Sequence, residues 1–303
     1  MSSQTLHTGT DEHSGSSSGT PATRKPYRNR RLPAAGTVGR YAALAVAAAL
    51  TLGPVLWTLS TSLRTPSESF NLPPSFLPIN PDFTAYQEVF KQINVGLLVL
   101  NSALVTGLIA LGQMASATLA GYAFARLDFR GRKAIFSLVL ATMMVPVQVT
   151  IVPVFMLIRG MGLSDTLLAL ILPAIPTAFG TFLMRQYFLG LPNDFAEAAA
   201  LDGAGPWRIF RSVYAPLAVP GMAIVGILAF NFHWNEFFRP LILTVSEQNF
   251  TLPLGLVTLQ GNLGTGSISV VLAGVILSML PALVVFIFGQ RTLREGLTAG
   301  ASK

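Results

Sequence analysis

The sequence predicts an all-α integral membrane protein with six transmembrane helices and a folded cytoplasmic loop between the fourth and the fifth. Three observations lead there: a shortage of charge, six apolar stretches of spanning length, and a one-sided distribution of Lys and Arg. Of the 303 residues, 51% are hydrophobic and only 11% are charged, where a soluble domain carries about 25% charged residues. So little polar surface does not cover a water-soluble globule of this length.

A hydrocarbon core of about 30 Å needs about 20 predominantly apolar helical residues. Stretches of that kind run over 41–63, 94–125, 134–158, 166–184, 217–243 and 268–288. The last is uncharged from Ile268 to Phe288. The second is longer than one span needs, and is expected to tilt or to project beyond the bilayer. The fifth carries His233, Glu236 and Arg239 toward its C-terminal end. Pro146, Pro153, Pro173 and Pro176 lie inside the third and fourth stretches, where proline releases backbone carbonyls and kinks helices.

Sixteen of the twenty Lys and Arg fall in the N-terminal tail, after span 2, between spans 4 and 5, and at the C-terminus. The opposite side receives Arg64, Lys91, Arg159 and Arg239. By the positive-inside rule both termini are cytoplasmic and the chain sits in the plasma membrane. The net charge of +7 therefore reports orientation in a lipid bilayer, and no nucleic-acid partner is expected. Residues 1–36, rich in Ser, Thr, Gly and Pro near their start, read as a disordered cytoplasmic tail. That leaves 37–303 as one membrane domain, and its outer segment 64–93, with Pro66, Pro73, Pro74, Pro78 and Pro81, reads as a lid-like loop.

The chain lacks the parts of an energy-converting enzyme. It has no cysteine. Its lysines are Lys25, Lys91, Lys133 and Lys303, none preceded by glycine, so no phosphate-cradling G-x-x-x-x-G-K-[ST] loop exists. His233 is the only histidine outside the tail, too few for a zinc site or a nucleophile–His–acid triad. Neither a catalytic set nor a bound metal or cofactor is expected.

The loop 193–216 contains EAAALDGAGPWRIFRSVYAP from 197 onward. Asp194 and Glu197 fit a capping box, the alanines favour helix, Gly203 and Gly205 end it, and Pro206 suits the first turn of the next helix. Trp207, Phe210 and Tyr214 recur at helical spacing. Physically this is a short helix, a tight turn and an amphipathic helix at the membrane surface: an interfacial re-entry helix or a docking site. In span 5, Asn231, Trp234, Asn235 and Glu236 are candidates for a translocation path, since polar groups in a span face a bundle interior or a cavity. The alternative for Glu236 is an i, i+3 pair with Arg239 near the surface, and for Trp234 a packing or interface role.

Glu197-Ala198-Ala199, three residues, Gly203, nine residues and Val213-Tyr214-Ala215-Pro216 resemble the EAA loop of ATP-binding-cassette importer permeases. The family pattern is E-A-A, three residues, G, nine residues, I-x-L-P, with Val213 and Ala215 departing toward other apolar types. Trp234-Asn235-Glu236-Phe237, Thr251-Leu252-Pro253-Leu254-Gly255-Leu256 and the ending Gly296-Leu297-Thr298-Ala299-Gly300 look like the smaller permease of maltose-type sugar importers. The resemblance implies a coupling helix whose Glu197, Ala198, Ala199, Asp202, Gly203, Ala204, Gly205 and Trp207 dock on a separate ATPase. It implies two ATPase subunits that use ATP and Mg, a second homologous permease, and a soluble sugar-binding protein on the outer side, where 245–267 could meet it. An ATP-independent secondary transporter is the competing reading. It calls for inverted repeats and midplane ionisable groups, neither of which the sequence displays.

Overall fold

The computed structural model describes residues 34–67, 81–261 and 266–301, with side chains over 38–67, 81–261 and 266–290. The expected disordered tail, apart from its last three residues, and the Pro73–Pro78 part of the expected lid lie outside the described residues. The chain divides into two compact units, 1–51 and 52–303. The described part of the first is apolar helix, the start of α1 (Ala34–Ser62).

The described residues are helical or irregular throughout. Among the described residues, three helices are long and apolar enough to cross a membrane: Val38–Ser62 within α1, α3 (Val95–Arg126), and Ile268–Gln290 within α14 (Ile268–Ala301). The count reaches six if each of three bent pairs is one span. α4 (Arg132–Thr142) and α5 (Val147–Gly160) meet at 99°; Leu167–Ala174, which begins as α6 (Leu167–Ile171), meets α7 (Ala178–Gly190) at 42°. Pro206–Leu217 and α11 (Val219–Trp234) meet at 68°. The six expected stretches thus correspond to three unbroken helices and three bent pairs. Pro146 and Pro176 sit at two of the breaks, as their missing N–H and restricted neighbours dictate, whereas Pro153 is carried inside α5. The fifth stretch ends earlier than its hydropathy implied: α11 stops at Trp234, and Phe238–Leu243 forms a separate helix, α12.

Within the second unit α3 is the hub. Its sides pack on α7, α11 and α6. One apolar cluster joins Val105 and Ile109 to Ile158, Leu170 and Leu243; another joins Ala117 and Tyr122 to Met184, Phe188, Phe210 and Tyr214. The α3–α7 contact is close because Gly121 has no side chain: a Cβ there would lie 2.5 Å from Met184 Cβ and 2.8 Å from the Arg185 backbone nitrogen. Small residues let helix backbones approach where lipid supplies no hydrophobic drive.

α3 also supplies hydrogen bonds to backbone exposed by the broken helices. At the α6–α7 elbow, Gln113 Nε2 donates to Ala174 O at 2.8 Å and Ser116 Oγ to Ile175 O at 2.9 Å. Near its N-terminal end, Asn101 Nδ2 donates to Gln248 O (2.8 Å) and Phe250 O (3.0 Å), and Ser102 Oγ accepts from Leu252 N (2.7 Å). A second latch holds the same 244–252 segment. Asp165, in a left-handed conformation (φ 57°), accepts from the backbone of Val245 (2.9 Å) and Ser246 (3.0 Å) and from Ser246 Oγ. Asn249 Nδ2 donates to its carbonyl at 2.7 Å. The Ser246 hydroxyl and then the Val245 and Ser246 amides hold the Asp165 carboxyl well below the usual carboxylate range.

Gly121→Ala is expected to destabilise the protein by about 1–3 kcal/mol through overpacking at α3–α7, read as a lower midpoint of detergent thermal unfolding. For Asp165 the depressed folded pKa means that the carboxylate's contribution is complete above its unfolded pKa of about 3.9. It is lost as pH falls through the lower folded value. Asp165→Asn tolerates the same backbone and removes the charge. Its unfolding midpoint is expected below wild type at pH 7, with the gap closing as the pH drops below about 4.

Candidate docking loop and membrane cavity

The loop begins where α7 ends. α8 (Asp194–Leu201) buries none of its residues. The expected capping box is absent: Asn193 occupies the cap position in helical geometry and makes no side-chain cap bond. Its Oδ1 is instead taken by Arg126 Nη1 from the end of α3, while its carbonyl accepts from Ala196 (2.8 Å) and Glu197 (3.1 Å). At the other end Gly203 has φ +79°. Ala204 N donates to Ala199 O and Gly203 N to Ala200 O, both at 3.0 Å, the paired bonds of a Schellman turn. That turn requires a left-handed residue, which glycine adopts at no steric cost.

Glu197, Ala198, Asp202, Gly203, Gly205 and Trp207 are exposed, and Ala199 and Ala204 half-buried. All eight residues expected to dock thus lie on one short helix–turn–helix, together with exposed Phe195 (54%) and Leu201 (90%). α9 (Pro206–Ile209) and a π turn over Phe210–Tyr214 follow, leading through α10 (Ala215–Leu217) to α11. Phe210 and Tyr214 turn inward onto Tyr122 of α3, with ring centroids 4.8 and 5.4 Å away, and Phe188 of α7 closes the group at 5.6 Å from Tyr122.

Arg126 fastens this arrangement. Its Nη2 donates to Phe188 O and Leu191 O, and its guanidinium lies 4.8 Å from the Tyr214 ring centroid. One side chain therefore ties the ends of α3 and α7 to both halves of the loop. In the sequence Arg126 was legible only as one of the cytoplasmic charges.

The second candidate site lies deeper. A cavity of about 680 Å³ is lined by residues of α3, α7, α11 and α12, by Pro173, Ala174 and Pro176 at the α6–α7 elbow, and by Met143 and Val147 at the α4–α5 elbow. Its polar wall is Gln113, Asn231, His233, Glu236 and Arg239; its apolar wall includes Pro173, Pro176, Phe179, Leu183 and Phe232. Gln113 Nε2, already a donor to Ala174 O, lies 3.1 Å from His233 Nε2. That ring nitrogen therefore accepts, and Nδ1 carries the hydrogen toward Glu236 Oε2 at 2.7 Å. Glu236 Oε1 pairs with Arg239 Nη2 at 2.9 Å, and Arg239 Nη1 donates to Leu170 O at 3.0 Å. The Glu236–Arg239 pair forms, but among buried groups, with side chains 13% and 10% exposed, and not at the surface. Carboxylate and guanidinium balance, so the polar wall is charge-neutral.

Of the path candidates, Asn231 and Glu236 line this cavity. Asn235 caps α11 and donates to Asn231 O at 2.8 Å. The structure sets Trp234 outside the cavity: it is 3% exposed, stacks on Phe230 at 5.5 Å and donates to Ser278 O at 3.1 Å. Among the polar cavity residues, His233 and Arg239 were read as part of the span-5 polar cluster without being path candidates, and Gln113 was missed. For His233 the sequence signal was its place three residues before Glu236.

Residues 117–294, from the middle of α3 through the loop and cavity to α14, match the model of the binding-protein-dependent transport system inner membrane component. The chain belongs to this family. It is a multi-pass inner membrane transport component, not a catalyst. Relatives include the arabinooligosaccharides transport system permease protein AraQ of Halalkalibacterium halodurans, 38% identical over 67% of this chain and 72% of that one. AraQ of Bacillus subtilis (strain 168) is 35% identical over 84% of this chain and 91% of its own length. Among solved structures, the crystal structure of a bacterial ABC transporter involved in the import of the acidic polysaccharide alginate is similar with a TM-score of 0.75. That match is 25% identical and covers 88% of this chain and 99% of that one.

Arg126→Ala is expected to free the loop and raise the rate of limited proteolysis within 191–205 about tenfold, the scale of losing charge-assisted hydrogen bonds. Arg126→Lys should fall between, because a point charge cannot fork to three acceptors.

Proposed function

We propose that this chain is the permease subunit of an ATP-driven importer for a sugar or oligosaccharide and forms half of its translocation path. The observation that carries the reading is the loop 193–216. Its α8 has no fully buried residue, its apolar Phe195, Leu201 and Trp207 face outward, and Arg126 pins its base to α3. A surface of this kind on an inner membrane transport component suits a protein partner. Glu197, Ala198, Ala199, Asp202, Gly203, Ala204, Gly205 and Trp207 dock the cytoplasmic ATPase, of which two copies use ATP and Mg. The loop side, with both termini, is cytoplasmic, as the Lys and Arg distribution favours.

The substrate class follows from two supports. The arabinooligosaccharide permeases are relatives over most of this chain. The cavity pairs a charge-neutral polar wall with an apolar one, which suits a molecule carrying hydroxyls on its edge and C–H groups on its face. Asn231 and Glu236 face the solute. A second homologous permease supplies the other half of the path, giving a heterodimer, and an extracytoplasmic binding protein delivers the solute. ATP binding in the partners moves the loop, and the coupling free energy between the sites passes through the α3–α7–loop junction. The domain extends over 37–303, with 1–36 as a tail outside the transport machinery.

Purification of the tagged protein in mild detergent should bring with it an ATPase and a second six-span chain, identified by mass spectrometry. Gly203→Val puts a β-branched residue at a left-handed position, at a cost of about 1–2 kcal/mol. It is expected to cut ATP-dependent sugar uptake by at least about tenfold and to release the ATPase, with membrane insertion unchanged. Full uptake with the ATPase still bound would sink the docking assignment.

A further inference from the structure

At the end of α3 remote from the docking loop, a pocket of about 470 Å³ opens between 92–98 and 247–258. The first wall is the turn joining α2 (Thr84–Gln92) to α3. Leu97, Leu98 and Phe250 give it an apolar floor, and its rim is polar. Among the described residues, Glu247 is the only formally charged one lining it. Glu247 is exposed, and among the described residues no ion pair or hydrogen bond engages its carboxylate. The nearest cation in sequence to the opposite wall, Lys91, is occupied by Glu88 at 2.7 Å.

The pocket is held in shape from behind. Asn101 and Ser102 bond the backbone of Gln248, Phe250 and Leu252, and Asp165 holds Val245 and Ser246. Such a site binds without first ordering itself, which lowers the cost of association.

We infer that this pocket seats a Lys or Arg side chain presented by the extracytoplasmic binding protein. Its aliphatic stem rests on Leu97, Leu98 and Phe250, and its cationic head meets Glu247. The inference rests on the importer reading above and adds to it the place and chemistry of one contact. A long cationic side chain matches both features of the pocket, since its stem buries on apolar surface while its head stays at a polar rim. The family to which the chain belongs depends on a binding protein, and this pocket lies at the end of α3 opposite the ATPase-docking loop. Charge complementarity at such a rim governs encounter and register.

The test uses the whole complex in lipid nanodiscs, titrated with separately purified sugar-loaded binding protein, and reads ATPase stimulation and direct binding. Glu247→Lys is expected to raise the half-saturating concentration of binding protein about tenfold and to flatten its salt dependence. The maximal ATPase rate should stay within about twofold of wild type, because saturation restores the docked state. Leu97→Trp fills the floor without altering charge, and is expected to weaken docking while keeping the salt dependence. Unchanged half-saturation in both variants overturns the inference and leaves the importer reading standing. A wild-type complex that no binding protein stimulates overturns both. Loss of the second permease from the Glu247→Lys complex, seen by native mass spectrometry, assigns the pocket to that subunit and overturns the inference as well.

Discussion

A peptide carbonyl left without a donor in hydrocarbon costs several kcal/mol, and a chain that bends its spans by 42°, 68° and 99° must answer that cost at every bend. Here much of the answer comes from one unbroken helix. α3 presents Gln113 and Ser116 to the carbonyls of Ala174 and Ile175 at the α6–α7 elbow. Arg239 performs the same service for Leu170 O. The elbows shape the cavity, and the polar side chains that stabilise them also form part of its wall. Architecture and cavity thus draw on the same residues: Gln113 bonds a broken backbone with its amide and fixes the hydrogen of His233 with the same nitrogen.

Most of the architecture was legible in the sequence because lipid imposes so strong a compositional filter. Apolar stretches, prolines at Pro146 and Pro176, and the Gly203–Pro206 punctuation each carry a local signal with a local cause. The sizes of the bends carried no such signal, since they depend on how α3 packs against both arms. Arg126 and Asp165 were not legible as structural residues for a related reason. Their acceptors and donors lie 62–67 and 80–84 positions away and are largely backbone groups, which look alike in any sequence. The capping box failed because the helix starts one residue earlier than an Asp194 cap requires: Asn193 takes the cap position, and its side chain is claimed by Arg126.

Span 5 illustrates the limit of reading aromatic and polar residues by position alone. Trp234 and Glu236 are two residues apart, yet one packs against the α14 backbone through its indole N–H and the other lines the cavity. The helix ends between them, at Asn235, so regular periodicity stops being a guide at that point. The neutral balance of His233, Glu236 and Arg239 was equally hidden. It needed the Gln113 amide, 120 positions earlier, to settle which imidazole nitrogen carries the hydrogen.

Within the second unit α3 runs from the 248–252 segment to the loop as a single unbroken rod of 32 residues, about 48 Å long at 1.5 Å per residue. Arg126 clamps one end to the loop, while Asn101 and Ser102 grip the 248–252 segment near the other. Such a rod is a lever. Pivoted at the Arg126 junction, a tilt of only about 10° sweeps its far end through about 8 Å over that length, several times the amplitude of ordinary thermal motion in a packed core. The unbroken length of this helix, beside three bent pairs, lets a small tilt at one of its ends become a large displacement at the other.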